Sequence, residues 1–211
     1  LSVNYVFNES GDYMIEATVL SNLWECVGTE SISVEVYPTP FLDIESNVIS
    51  GCSPLEVSFT NQSTDADFWV WGFGDQTPNE VISEPSHIFL NNTYNQQTFT
   101  VQLDALTLNG CSSTINLSIE VMPEPTASFE IDDELLCGLP SYVSVYNTTD
   151  GAQAFSWTLN GQDEGGAFEP VFELNQYGQL SIELLATNTY SCTSYATEFI
   201  EVFEYPEPQI M

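Results

Sequence analysis

One histidine, His87, and five cysteines, Cys26, Cys52, Cys111, Cys137 and Cys192, are the side chains from which nucleophilic or soft-metal chemistry could start in this sequence. A serine or cysteine nucleophile needs a base within hydrogen-bond reach, and His87 is the single imidazole available for the task. No two cysteines have C-x-x-C spacing and no histidine cluster accompanies them, which argues against a thiolate zinc site. Asp65, Asp67 and Asp75 form one acidic group that could offer oxygens to Ca2+, and Asp132, Asp133 and Glu134 form another. Calcium takes about six to eight oxygens from a defined loop, and neither stretch contains D-x-D-x-D-G. The expectation is no resident cofactor and no ordered metal, with Ca2+ held only loosely as a counter-ion. Paired carboxylates of the glycosidase kind carry little weight where acidic residues are common by composition. No glycine-rich phosphate loop is present. Asn8, Asn61, Asn91, Asn116 and Asn147 each head an N-x-Ser/Thr triplet, a number expected by chance in a chain this rich in Ser, Thr and Asn. The chain reads as a non-enzyme.

The charge balance removes further classes. The 211 residues include 31 Asp and Glu and no Lys or Arg, a formal net charge of −31. Binding to nucleic acid through phosphates requires cationic side chains, so that class is excluded. Anionic membrane surfaces should repel the chain. Trypsin-like proteases find no cleavage site. An intrachain salt bridge can involve only His87, and the mutual repulsion of the carboxylates should be relieved by salt or divalent cations. Two readings of this bias stay open: compositional drift in a marine or acidic secretome, and selection for filaments that resist proteases and do not adhere to each other. Apolar residues make up 43% and aromatics 13%, enough to build a packed core. No run of about 18 apolar residues exists, so no helical membrane insertion is expected. No leader opens at Leu1, and any targeting segment is expected upstream.

The elements that must hold these residues repeat along the chain. "LWECVGTESISVEVYPTP" at 23–40, "LNGCSSTINLSIEVMPEP" at 108–125 and "TYSCTSYATEFIEVFEYPEP" at 189–208 each run from a cysteine through an alternating segment to Pro-x-Pro. Cys26 and Cys111 are 85 residues apart, as are Cys52 and Cys137, while Cys111 and Cys192 are 81 apart. Such a period marks tandem units. The divisions expected are 1–38, the C-terminal part of one repeat; 41–123, a complete repeat; 126–204, a complete divergent repeat; and 205–211, the start of the next. The linkers carry Pro38 and Pro40, Pro123 and Pro125, and Pro206 and Pro208, which makes them semi-rigid spacers. Within each repeat "LEVSFTN", "TFTVQLDAL" and "INLSIEV" alternate apolar and polar residues, the mark of half-buried strands. No convincing amphipathic helix is present. The fold class expected is all-β, with tandem immunoglobulin-like β-sandwiches of seven strands in about 85 residues.

The middle repeat resembles the polycystic kidney disease (PKD) domain family. The residues that carry the likeness are "VWGFGDQTP" at 70–78, "EPSHIF" at 84–89 and "TFTVQLDA" at 98–105. Trp71, Phe73, Gly74, Asp75, Pro85, His87 and Phe89 fill the family's places, and Gln76 stands where a second glycine is usual. The third repeat keeps "FSWTLNG" with Trp157 but lacks the Gly-Asp turn and the histidine. The resemblance implies that His87 is a structural residue packed near Trp71, that Trp71 and Phe73 fill the core with Trp69 on their face, and that Trp157 is the matching tryptophan. The "GCSP" and "NGC" motifs look like tandem repeats of giant secreted Bacteroidota proteins, among them gliding-motility adhesins exported by type IX secretion. That likeness implies cell-surface display.

In an immunoglobulin-like sandwich strands B and F run the same way. The first cysteine of a repeat precedes B and the second follows F, at opposite ends of the domain. With a rise of about 3.3 Å per residue the gap is roughly 20 Å, whereas a disulfide needs Cα atoms within about 7 Å. The expectation is therefore an inter-repeat bond between Cys52 and Cys192, with Cys26, Cys111 and Cys137 paired outside this sequence. A different strand order would restore Cys52–Cys111 and Cys137–Cys192. The function expected is a structural segment of an extracellular adhesive filament on a bacterial surface, stiffened by disulfides. Its partners would be neighbouring repeats, and glycans or other cells reached through regions not present here. The alternative is a non-catalytic spacer or carbohydrate-binding module of a large secreted hydrolase.

Overall fold

The structure is a computed structural model that describes residues 2–21 and 26–206. Of the expected lead-in at 205–211, residues 207–211, with Pro208, lie outside the described residues, as does most of "LWEC". Seventeen strands and no helix make up the described chain: β1 (Gly11–Leu20), β2 (Val27–Val36), β3 (Ile44–Ser46), β4 (Ser50–Cys52), β5 (Leu55–Asn61), β6 (Phe68–Gly72), β7 (Ser86–Phe89), β8 (Gln97–Leu106), β9 (Ser112–Met122), β10 (Phe129–Ile131), β11 (Leu135–Cys137), β12 (Ser141–Asn147), β13 (Ala154–Leu159), β14 (Gln162–Gly165), β15 (Val171–Leu174), β16 (Gly178–Thr187) and β17 (Thr193–Phe203).

They form two compact units. One holds Leu1–Val48, Val57–His87 and Phe99–Ile119; the other holds Ile49–Glu56, Ile88–Thr98 and Glu120–Met211. Two sandwich plans recur along the chain. Sheet β3-β5-β7 accompanies sheet β4-β9-β8-β6, and sheet β10-β12-β15 accompanies sheet β11-β17-β16-β13-β14. In each set the first strand is split. β3 pairs antiparallel with β5, whereas β4 runs parallel to the end of β9. β10 pairs antiparallel with β12, whereas β11 runs parallel to β17. A first strand split between two sheets, antiparallel to its neighbour in one and parallel in the other, fits the plan of an immunoglobulin-like sandwich.

The switch of sheet is held by a side chain each time. The Asn47 side-chain oxygen accepts the Ser58 N–H at 2.9 Å, and Asp132 Oδ1 accepts the Ser144 N–H at 2.9 Å. Asp132 also accepts from the Asp133 N–H at 3.1 Å. Burial acts to raise the Asp132 pKa, but these N–H groups outweigh it and hold the carboxyl below its ordinary value.

Strand alternation becomes burial alternation. In β8, Phe99, Val101, Leu103 and Ala105 are buried while Thr100, Gln102 and Leu106 face out. Within the first unit Val57 and Phe59 of β5, Trp71 of β6, Val101 and Leu103 of β8 and Ile119 of β9 are buried. Within the second, Val143, Phe172, Leu174, Trp157, Ile182 and Ile200 join one continuous core drawn from both of its sheets. Each such side chain contributes about 1.5–3 kcal/mol by leaving water. The last set also has a short strand with no counterpart in the first, β14. It follows β13 through Asn160–Gly161, both at positive φ (48° and 74°), with Leu159 opposite Gln162. Asn-Gly at a two-residue hairpin is the turn that right-twisted strands favour. The β1–β2 hairpin, in register from Gly11↔Val36 to Leu20↔Val27, leaves Ile15, Val19 and Ile32 exposed.

Candidate functional site

Two groups of side chains carry what the sequence singled out. The first surrounds Trp71. Its indole is fully buried and donates to the Ile82 carbonyl at 3.0 Å, and its backbone exchanges two hydrogen bonds with Glu80. Trp157 is equally buried and donates to the Ala167 carbonyl at 2.7 Å. Both indoles thus keep their N–H satisfied in a dry core. Trp69, on the same face of β6, is only half-buried.

Phe73 is buried as well, and His87 stacks on it with ring centroids 3.9 Å apart and planes 5° from parallel. His87 thus packs on the ring two residues beyond Trp71: Phe73 lies just past the end of β6, where the chain leaves the sheet. His87 Nε2 lies 2.7 Å from Asp75 Oδ2. The other Asp75 oxygen accepts from the Thr77 N–H at 3.1 Å and from its hydroxyl at 2.5 Å. Burial acts to raise the Asp75 pKa, but the Thr77 and His87 hydrogen bonds outweigh it and hold the carboxyl below its ordinary value. Gly74 sits at φ +76°, and a Cβ there would lie 2.5 Å from the Thr100 carbonyl oxygen. The Gly74–Asp75 turn therefore requires glycine on two counts, and the imidazole is occupied in holding it.

Of the acidic residues weighed as Ca2+ ligands, Asp65, Asp67, Asp75 and Asp132 have other partners. Asp67 accepts the Leu108 N–H at 2.7 Å and Asp65 accepts the Thr64 hydroxyl at 3.0 Å. Among the described residues no group of three or more His, Cys, Asp or Glu side chains is placed to hold a metal ion.

The second group lies in the second unit and is closed by a disulfide between Cys52 and Cys192, 140 residues apart in sequence, with Cα atoms 5.7 Å apart. Cys52 ends β4, and the next residue, Ser53, donates its N–H to the Met122 carbonyl at 2.9 Å. Ser53 Oγ accepts the N–H of buried Asn91. Asn91 donates to the carbonyls of Asn95 and Val121 and accepts from the N–H and hydroxyl of Thr93, so all of its amide is used inside the protein. On the other side Asn188 Oδ1 accepts the N–H groups of Tyr190 and Cys192, and its amide donates to the Pro123 carbonyl at 2.8 Å. Ser191, at φ +66°, completes the turn. Asn91 and Asn188 thus fix both walls of the disulfide. The sequence reading passed over Asn188 and took Asn91 only as the head of a chance triplet; an asparagine four residues before a cysteine in a polar turn was the signal for Asn188, and Asn91, far from any cysteine in sequence, offered none.

Cys111 stands in the turn before β9 as Cys192 stands in the turn before β17, with Thr107 Oγ1 accepting the Cys111 N–H. Cys137 ends β11 opposite Phe203 as Cys52 ends β4 opposite Met122. Cys111 is half-buried and Cys137 exposed, and neither sulfur is bonded to a described cysteine. The Cys26 carbonyl accepts the Ser21 N–H at 2.9 Å between β1 and β2.

No family model and no curated protein sequence matches the chain. Among solved structures, the fibronectin(III)-like modules of Clostridium thermocellum CbhA align with 81% of this chain and 100% of theirs, at 12% identity and a TM-score of 0.35. A Ca2+-stabilised adhesin of an ice-binding Antarctic bacterium aligns with 92% of this chain and 57% of its own, at 10% identity and a TM-score of 0.35. The eight N-terminal immunoglobulin domains of Down syndrome cell adhesion molecule align with 96% of this chain and 28% of their own, at 13% identity and a TM-score of 0.42. Likenesses at this level carry nothing about ligand or activity; the chain is an all-β, immunoglobulin-like sandwich protein by its own sheet topology.

Proposed function

We propose that this chain is a structural segment of a long extracellular adhesive filament on a bacterial surface, built from PKD-type sandwich repeats at 41–123 and 126–204. The single observation that carries this reading is the Cys52–Cys192 disulfide, which ties the strand before β5 to the turn before β17 across 140 residues. A covalent bond between successive repeats resists extension, and disulfides persist in oxidising compartments outside the cytosol. Three further features support the reading. The β1–β2 hairpin has the form of β16–β17 and leaves its apolar face exposed, as the last two strands of a further sandwich would if its other strands were not in the chain. Cys111 and Cys137 sit where further links of the same kind would attach. The net charge of −31 keeps neighbouring filaments apart. We read the parent as a Bacteroidota surface protein of the gliding-adhesin kind.

Electron microscopy of the parent protein, released from cells without reduction, tests the proposal. Long thin fibres with a beaded repeat of a few nanometres are expected. A compact particle with two or three beads beside a catalytic body would overturn the filament reading in favour of a spacer in a secreted hydrolase.

A further inference from the structure

Next to the disulfide, the second unit has an open cleft of about 540 Å3, lined among others by Leu90, Asn92, Tyr94, Glu124, Asp150 and Tyr190. Its volume falls within the roughly 300–1,000 Å3 typical of small-ligand sites. Each tyrosine hydroxyl has a partner, close for Tyr94 and longer for Tyr190. The Tyr94 hydroxyl donates to Asp150 Oδ2 at 2.9 Å, and the Tyr190 hydroxyl accepts the Gln96 N–H at 3.4 Å. Bonding through the hydroxyl leaves the ring faces free, and Tyr94 is 72% and Tyr190 38% exposed. Leu90 is exposed beside them. Around these rings Asn92 and Glu124 make no hydrogen bond to another described residue, so an amide and a carboxylate are available to a ligand.

We infer that this cleft binds a short neutral oligosaccharide. A pyranose presents an apolar C–H face and a rim of hydroxyls that both donate and accept. Exposed ring faces suit the first, and Asn92, Glu124 and the second oxygen of Asp150 suit the other. Charge sets the sign of the ligand. A uronic or sulfated sugar would meet Glu124 and Asp150 in a chain without a single Lys or Arg, so anionic glycans are rejected. A cationic ligand has no reason to choose this place, because 31 carboxylates are spread along the whole chain; what sets the cleft apart is exposed rings beside unoccupied amide and carboxylate groups. The inference goes beyond the filament reading, since a segment that only bears load needs no such cleft.

The test is a heteronuclear NMR titration of the intact, oxidised 211-residue protein with maltotetraose, cellotetraose, mannotetraose and xylotetraose in turn. Tetragalacturonate serves as the anionic control and tetralysine as the cationic one. At least one neutral tetrasaccharide is expected to shift the resonances of Asn92, Tyr94 and Tyr190. Tyr94→Ala should weaken that binding at least about fivefold, the loss of one stacking face. Tyr195→Ala, at an equally exposed tyrosine on β17 outside the cleft lining, should leave it unchanged. Because Tyr94 is largely exposed, unchanged amide dispersion will show that the variant is folded. The inference is overturned if none of the four neutral sugars perturbs the cleft, if Tyr94→Ala leaves affinity unaltered, or if tetralysine alone binds there in a Tyr94-dependent way. Fibres in the microscope together with a silent titration would keep the filament reading and remove this one.

Discussion

Replacing Cys52 and Cys192 together by alanine opens a covalent loop of 140 residues. In the chain-entropy account a closed loop of that length restricts the denatured ensemble by about 5 kcal/mol at 25 °C. Two effects reduce what is measured. The denatured chain is more compact than a random coil, and any sandwich still folded when its neighbour melts shortens the flexible part of the loop. Half the full value is therefore the working figure. At about 2–4 °C per kcal/mol for a chain of this size, the expected fall in Tm is about 5–10 °C. Alanine is preferred to serine because Cys192 is 1% exposed and a hydroxyl would be buried there. The assay is differential scanning calorimetry of wild type and of the double variant, each with and without dithiothreitol. Wild type should fall to the level of the variant on reduction, and the variant should not respond. A double variant melting within about 1 °C of oxidised wild type, well under the shift computed above, would refute the entropic argument; so would an equal response of both proteins to reductant.

The remaining predictions concern the Gly74–Asp75 turn and the charge. Gly74→Ala places a Cβ against the Thr100 carbonyl at a left-handed φ and should cost about 2–4 kcal/mol, read as a lower urea midpoint; a loss under about 0.5 kcal/mol, the size of an ordinary surface change, would show that the turn relaxes. Asp75 has its pKa lowered in the fold by Thr77 and His87 against the effect of burial. Its contribution is therefore present above its unfolded pKa and lost as pH falls through the lower folded value, so stability curves of wild type and Asp75→Asn should converge under acid and separate toward neutral pH. Parallel curves across that range would remove the linkage. CaCl2 and MgCl2 at equal concentration should raise Tm by similar amounts, as screening of 31 carboxylates requires. A saturable rise specific to Ca2+ would instead mark an ordered site.

Much of the strand inventory was legible because a period of two is local. "LEVSFTN", "TFTVQLDAL" and "INLSIEV" became β5, β8 and β9, with the apolar residues of β5 and β8 turned inward and those of β9 increasingly buried toward its end. β14 was missed even though Asn160–Gly161 signals a hairpin, because its four exposed residues carry no apolar alternation. The split of the first strand was also hidden. β3 and β4 are three residues each, too short to show a period, and what sends them to different sheets is the Asn47 side chain bonded to Ser58 on another strand.

The sequence by itself determined the class: all-β by alternation, in a chain with 31 acidic residues and no Lys or Arg. Tertiary structure alone decided the contacts. Trp71 is sealed while Trp69, on the same face of the same strand, stays half in water, because depth depends on what the opposite sheet places there. His87 meets Phe73 and Tyr94 meets Asp150 across 14 and 56 residues. Periodicity tells which side of a strand a residue faces. Which distant residue it meets there depends on strand order and on turns such as those held by Asn91 and Asn188, and these exist only once the sheets have packed.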